Sequence, residues 1–383
     1  DALCAGEPGD TPTPKVEVWG AQIAAQALVE TADLSRLSAA NQDKLARIRH
    51  WLVKLLRDER LPATERALAG NNLAVLGDPR FDAAHWHLPV EPLFGFIEIP
   101  AGPFRMGSDK QHDREADDNE LPQHEVTLPG YYLAHWPVTV AQFAAFVNES
   151  GFQPRDPDCL KGITNHPVVS VSWHEAMAYC RWLNEQLRQL APERLATIDP
   201  LSETERRFWQ GLAGGSLGIG LPSEAEWEKG ARGTEGRIYP WGDEADPNRA
   251  NYGETGLDAT SAVGCFPSGA SPYGCEEMSG NIWEWTRTLS VLNSVHFDDG
   301  VVVMRHGLPN YPLEGSEHQA SSAGRTLTSA SAGRTFTSRV LRGGSFSRSS
   351  RVVRCATRIV NSSDSGSVAF GFRVMASPFL SDC

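Results

Sequence analysis

Three short segments near the C-terminus constrain this chain most. They are Arg-Val-Leu-Arg-Gly-Gly-Ser-Phe at 339–346, Arg-Cys-Ala-Thr-Arg at 354–358 and Gly-Phe-Arg-Val at 371–374. The outer two read as short β-like runs, and the loops between them are polar. The frame is aromatic and arginine-rich, while what it encloses is mostly small or neutral. Residues 320–374 contain nine Arg and a single acid, Asp364. These arginines are expected to pair with carboxylates contributed by other parts of the chain. The pattern is a scaffold around a patch, and what fills the frame decides the function.

At 383 residues the chain is long enough for two domains, and eleven Trp with 40% hydrophobic residues support a sizeable core. Thirty-five Gly and twenty-five Pro point to loop-rich structure rather than a helical bundle. A net charge of -13 disfavours a general nucleic-acid binder, which needs a basic face. No apolar run of about 18 residues exists, so no membrane span is expected. The chain starts Asp-Ala-Leu-Cys without Met, as a processed or trimmed form would. Its seven cysteines, Cys4, Cys159, Cys180, Cys265, Cys275, Cys355 and Cys383, form no CxxC pair and no regular spacing. They read as reduced thiols, and a cytoplasmic location is expected.

Residues 1–90 read as a helical N-terminal segment. Ala21 to Glu30 is Ala-rich, Leu45, Ile48, Leu52 and Leu55 recur at helical spacing, and a third helix runs from Pro62 to Gly77. Glu65 to Arg80 resembles one unit of a HEAT-like repeat, either a remnant of a longer array or a cap on the next domain. Residues 91–383 change texture to short strands, tight turns and isolated helices. Strands are expected at 96–100, 124–128 and 131–134, and helices behind the N-caps Thr139 and Ser172. Ser223 and Glu226 form a capping box. The acidic stretch 113–120 lacks the glycine and spacing of an EF-hand and reads as a solvated loop. Residues 288–338 read as an insertion with a hairpin, carrying the near-repeat Ser-Ala-Gly-Arg-Thr-(Leu/Phe)-Thr-Ser at 322–329 and 331–338. His85 and His87 lack a third partner and read as surface or packing residues.

Six motifs in order, Ile-Pro-Ala-Gly-Pro-Phe-Arg-Met-Gly-Ser, Pro-Val-Val-Ser-Val-Ser-Trp-His-Glu-Ala, Leu-Pro-Ser-Glu-Ala-Glu-Trp-Glu, Tyr-Pro-Trp-Gly, Gly-Asn-Ile-Trp-Glu-Trp-Thr and Arg-Gly-Gly-Ser-Phe to Gly-Phe-Arg, lie between Phe94 and about Ser377. This series resembles the formylglycine-generating enzyme (sulfatase-modifying factor) family. The resemblance implies an α+β, irregular and loop-rich, C-type lectin-like fold. Enzymes of that family oxidise a substrate cysteine with a copper-binding cysteine pair placed between Gly-Gly-Ser and Arg-Cys-Ala. Here that interval, 347–353, holds Ser, Arg and Val only. Hydroxyls do not replace the soft thiolates that Cu(I) requires, so no copper is expected and no catalytic residue is assigned. Cys355 matches a cysteine that is structural in the family.

A second branch of the same fold, the variable proteins of diversity-generating retroelements, keeps this frame and varies what lies between. Adenine randomisation of Asn codons never yields Lys, Glu, Gln, Met or Trp, and all five are absent from 346–370. About five would be expected from ordinary usage. The resemblance therefore implies a variable region at about 339–374. Its candidate contact residues are Ser347, Arg348, Ser350, Arg351, Thr357, Ile359, Asn361, Asp364, Ser365, Ser367, Val368 and Ala369. Short side chains favour a protein or peptide partner over a buried small molecule. The stretch 357–369 shows neither helical nor alternating periodicity. Family members also bind calcium, which implies one set at Asn251, the Tyr252 carbonyl and Asp258. A second set would be Glu277, Gly280, Ile282 and Glu284, with Gly and Ile offering carbonyls.

The expectation is a non-catalytic ligand-binding protein that displays a diversified surface. The alternatives are a formylglycine-generating-enzyme-like oxidase and a scaffold subunit with no diversified loop.

Overall fold

The computed structural model describes residues 6–9, 15–197, 202–290, 292–298, 301–306, 327–328, 335–336 and 338–378. Three helices come first: α1 (Lys15–Thr31), α2 (Ala39–Leu56) and α3 (Ala63–Leu76). Ser38 caps α2, and its buried face is Leu45, Ile48, Trp51, Leu52, Leu55 and Leu56, the three-and-four spacing of an amphipathic helix. Pro62 is the residue before α3, and Gly77 ends it at φ +92°.

These helices share a hydrophobic cluster with Ala262, Cys265 and Phe266 from the following domain. Polar contacts reinforce the joint. Arg57 reaches Glu276 at 2.7 Å, Arg80 donates to the Val263 carbonyl at 2.6 Å, and Arg66 donates to the Asn248 carbonyl at 2.8 Å. Fully buried Phe266 is thus covered by the N-terminal segment.

The short pair β1 (Phe81–Asp82) and β2 (Leu88–Pro89) leads to β3 (Phe96–Ile99), β4 (Gly102–Met106), β5 (His124–Leu128) and β6 (Tyr131–Ala134). Helices α4 (Val140–Ser150), α5 (Trp173–Thr197) and α6 (Glu203–Ala213) follow, then β7 (Gly218–Gly220) and α7 (Glu224–Arg232). Thr139 with Gln142 and Ser223 with Glu226 both close capping boxes. Helix α5 runs for 25 residues, through Pro192.

The remaining strands are β8 (Trp283–Leu289), β9 (Leu292–Asp298), β10 (Val301–His306), β11 (Leu327–Thr328), β12 (Thr335–Phe336), β13 (Ser338–Arg342), β14 (Arg358–Ser362), β15 (Phe370–Gly371) and β16 (Met375–Ser377). β9 and β10 pair antiparallel, as do β11 and β12; most of the two near-repeats lies outside the described residues.

Two four-stranded sheets organise the domain, with orders β3-β6-β16-β7 and β14-β13-β8-β15. The first is antiparallel throughout; the second joins β15 to β8 in parallel. The main core, including Trp283, Trp285, Leu341, Tyr179 and Phe372, spans α4, α5, α6 and both sheets. Glu284, between the two tryptophans, points the other way and accepts from Trp227 Nε1 at 2.7 Å. This mixed, irregular architecture is the α+β, loop-rich arrangement expected from the sequence. Among the described residues no helix is long and apolar enough to cross a membrane.

Candidate functional site

The C-terminal frame is built on buried guanidinium groups. Arg342 pairs with Glu228 and donates to the Cys355 and Ala356 carbonyls at 2.7 and 3.0 Å. Arg354 takes both oxygens of Glu120 at 2.7 Å and also pairs with Asp113. Arg373 grips Glu284 at 2.7 and 2.8 Å and ties down the carbonyls of Ala134, His135, Glu276 and Glu277. Arg358 meets Glu224 at 3.0 Å.

Burial by itself raises the pKa of Glu228, but Arg342 and Arg232 hold it below the usual carboxylate value. The acidic stretch 113–120 is consequently not a simple solvated loop. Asp113 and Glu120 turn inward because Arg354 enters it, and both are buried.

Main-chain bonds from the framework then fix the patch itself. The Arg348 carbonyl accepts from Gly253 N–H at 2.7 Å and the Val353 carbonyl from Ser279 Oγ at 2.6 Å. Cys355 N–H donates to the Ile238 carbonyl at 2.8 Å. Farther on, the carbonyls of Ser363, Ser367 and Ala369 accept from Trp173, Ser170 and Trp283 N–H at 3.1, 2.8 and 2.8 Å. Gly344 sits at φ +76°, where a Cβ would lie 2.5 Å from Val353 Cγ1, so the second glycine of the motif is a steric requirement.

Ten of the twelve candidate contact residues lie on the surface of this frame. Ser347, Arg348, Arg351, Asp364 and Val368 are exposed, Val368 by 69%. Ser350, Ile359, Asn361, Ser365 and Ser367 are half-buried. Arg351 reaches Asp117, and Ser350 N–H donates to Glu254 at 3.2 Å. His174 approaches Asp364 at 3.6 Å.

Thr357 and Ala369, expected on this surface, are instead buried. The Thr357 hydroxyl approaches Glu120 at 3.4 Å, and Ala369 lies beside β8 in the main core, its carbonyl accepting from Trp283 N–H. The stretch also contains a strand, β14, that its sequence pattern hides. Its five residues are all half-buried, so no alternation is visible, and pairing with β13 imposes the strand.

The structure joins parts of the two expected calcium sets into one network. Asn281 N–H donates to the Asn251 carbonyl at 2.7 Å, Asn251 Nδ2 to Asn281 Oδ1 at 3.3 Å, and Asn281 Nδ2 to Glu277 at 2.8 Å. Asn281, absent from the sequence assignment, is the hinge of that network; its left-handed φ of +61° was not legible in the sequence.

The second set does not fit calcium. Both Glu284 oxygens are held by Arg373, one also by Trp227, and the Gly280 carbonyl accepts from Ile282 N–H at 2.8 Å. Glu277 is buried, and its two oxygens accept from Gly264 N–H at 3.0 Å and Asn281 Nδ2 at 2.8 Å. The first set offers one free atom: Asn251 Oδ1 is buried without a hydrogen-bond partner, while the Tyr252 carbonyl accepts from Thr255 N–H at 2.8 Å and Asp258 is exposed. Among the described residues no group of three or more His, Cys, Asp or Glu is placed to hold a metal.

All five described cysteines are free and buried. Burial pushes the Cys355 thiol up to about 12, so it stays protonated and unreactive near neutral pH.

Fold and frame together define a C-type lectin-like domain presenting a loop surface on a network of buried arginines. Residues 86–378 match the family described as the Sulfatase-modifying factor enzyme 1-like domain, and the chain belongs to that family. It is 27% identical to the formylglycine-generating enzyme of Mus musculus, over 73% of this chain and 74% of that protein. It is 30% identical to a Bos taurus protein named inactive C-alpha-formylglycine-generating enzyme 2, over 50% of this chain and 69% of that one. Among solved structures, Treponema denticola variable protein 1 aligns over 73% of this chain and 94% of its own, with 20% identity and a TM-score of 0.46. At that score the likeness carries no argument about function.

Proposed function

We propose that this protein is a non-catalytic binding protein whose C-terminal loop surface is a diversified site for a protein or peptide ligand. The observation that carries this reading is the division of labour in residues 345–370. Framework donors and acceptors hold the main chain, while Ser347, Arg348, Ile359, Asn361, Asp364, Ser365, Ser367 and Val368 project at least partly into solvent. A backbone fixed by others lets side chains change identity without refolding, and little ordering entropy is lost on binding.

Membership of the family does not decide between this reading and an oxidase, because function resides in the site and not in the fold. The site favours binding: residues 347–353 hold no thiol, and Cys355 is buried and protonated. A calcium ion held by Asn251 Oδ1, the Tyr252 carbonyl and Asp258 belongs to the same proposal. It would brace the loop whose Gly253 N–H holds Arg348.

The test is a displayed library randomising those eight positions to the fifteen residues that Asn codons can yield. Most members should reach the surface folded at the parent's level, and binders to unrelated folded bait proteins should emerge. If fewer than about one member in ten folds, against the tolerance expected of surface positions, the side chains are structural and the reading fails. Copper-dependent turnover of a cysteine peptide by the parent protein would favour the oxidase instead.

A further inference from the structure

Residues 81–94 lie between the N-terminal helices and β3, and their main chain is bonded only to its own neighbourhood. Phe81 N–H donates to the Asp78 carbonyl at 3.3 Å, His87 N–H to Asp82 at 2.8 Å, Val90 N–H to Arg80 at 2.7 Å and Phe94 N–H to Glu91 at 3.0 Å. Strand β1 pairs with β2 alone. Among the described residues no main-chain bond runs from 81–94 to anything outside 78–96. Gly77 and Gly95, at φ +92° and +78°, stand at the two ends. Side chains make the ties to the rest of the molecule. Trp86 Nε1 donates to Glu149 at 2.8 Å, Glu91 meets His135 at 2.9 Å, and His85 meets Arg194 at 3.3 Å.

The segment is strained and thinly packed. Trp86, His87, Leu93 and Phe94 hold φ between +54° and +57°, half of the eight non-glycine residues with positive φ among those described. Bulky side chains disfavour that region. Unfilled space lies on both faces. Outside, a cleft of about 370 Å³ lies between the segment and α2, lined by His50, Val53, Pro79, Arg80, Val90 and Glu91. Inside is a cavity of about 20 Å³, whose lining includes Phe81, Leu88 and Phe94 of the segment and Trp136, Gln142 and Tyr179 of the domain. Voids are few in a close-packed interior, because the atoms around them lose contacts.

The inner cavity is also short of acceptors. The Tyr179 hydroxyl is buried and has no hydrogen-bond partner. Gln142 Oε1 already accepts from Thr139 N–H at 2.7 Å, which leaves its amide N–H as the group it offers. His135, also on the wall, is committed to Glu91 and Glu276. Donors without an acceptor, inside a wall of aromatic rings, call for a molecule that brings an oxygen.

We propose that residues 81–94 form a flap over a binding site for a small aromatic molecule with a carbonyl or hydroxyl oxygen, which accepts from the Tyr179 hydroxyl. As it stands the cavity has room for one water, so the ligand enters only when the flap moves. The flap swings on its glycine ends into the outer cleft and carries Leu88 and Phe94 out of the inner cavity, and the ligand takes the space they leave. Leu93 and Phe94, next to the Gly95 hinge, release their left-handed conformation on opening, which offsets part of the apolar contact given up. The site is independent of the loop surface at 345–370.

The probes are acetophenone, ethylbenzene, which has no oxygen, and benzylamine, which is protonated at neutral pH and supplies only donors. Each is titrated calorimetrically against the full chain, with amide hydrogen exchange followed at 81–94 and, for reference, in β3. In the free protein 81–94 should exchange as a unit and faster than β3, and acetophenone should slow that exchange. Acetophenone should bind with a Kd below about 1 mM and at least about tenfold more tightly than ethylbenzene, the contribution of one buried hydrogen bond. Benzylamine should not bind. Tyr179→Phe should melt no lower than the parent, because no bond is lost, and should bring acetophenone and ethylbenzene level. A segment that exchanges as slowly as β3, or acetophenone binding no better than ethylbenzene, overturns the proposal. So does a lower melting temperature for Tyr179→Phe, which would mean that one buried water already satisfies the hydroxyl.

Discussion

Arg348 and Arg354 lie six positions apart, yet their environments are opposite. Arg354 is almost fully buried against Glu120 and Asp113, whereas Arg348 is exposed. Arg354→Ala would strand two buried carboxylates, so unfolding stability should fall by about 3–5 kcal/mol, while Arg348→Ala should change it by less than about 0.5 kcal/mol. Urea denaturation of the two variants checks this contrast; equal losses would contradict it.

His135 offers a pH-dependent test at the same scale. It stacks on Trp136 at 4.1 Å, between Glu91 at 2.9 Å and Glu276 at 3.3 Å. Burial opposes its charge, but the two glutamates win and raise its pKa from 6.5 to about 9. The folded state therefore binds the proton more tightly than the unfolded chain. This contribution, on the order of 3 kcal/mol, is fully present below pH 6.5 and is lost as pH rises through about 9. Stability measured from pH 6 to 10 should fall across that window, and His135→Phe should remove most of the fall.

At the scale of elements, the loop from Asn251 to Asp258 is where a metal would matter. Calcium should raise the melting temperature and a chelator reverse the gain, with Asn251→Ala abolishing the response; a wild-type protein indifferent to calcium would remove the ion from this account. Elements defined by neighbouring residues were legible in the sequence. Ser223 and Glu226 announce α7 because a capping box needs only residues three apart.

Elements defined by distant partners were not legible. Arg354 finds Glu120 and Asp113 across 234 and 241 positions, so nothing local marked 113–120 as buried. Strand β14 stayed hidden for the same reason, since only β13 makes it a strand. Thr357 and Ala369 looked like surface residues because small side chains carry no burial signal of their own.

At the scale of the whole molecule, the N-terminal helices are packed into the domain that follows. Phe266 and Cys265 are covered by α2 and α3, and Cys265 is pushed up to about 12 by burial. A protein lacking residues 1–76 should melt at a lower temperature than the full chain and expose Cys265 to iodoacetamide. Unchanged stability and an unreactive Cys265 would show that the helices only sit beside the domain. The family motifs were legible from Phe94 onward because they are contiguous, but the joint between helices and domain was not.

The same scale holds the central claim, that the frame of buried arginines exists to present changing side chains. Sequencing the DNA around this locus tests it most directly. The account predicts a near-copy of the segment encoding residues 339–374, differing at template adenines, with a reverse transcriptase gene nearby. The differences should fall on codons for exposed positions such as Arg348, Asp364 and Val368 and spare those for Arg342, Arg354 and Arg373. Absence of any such copy, or differences spread over the buried arginines, would contradict it.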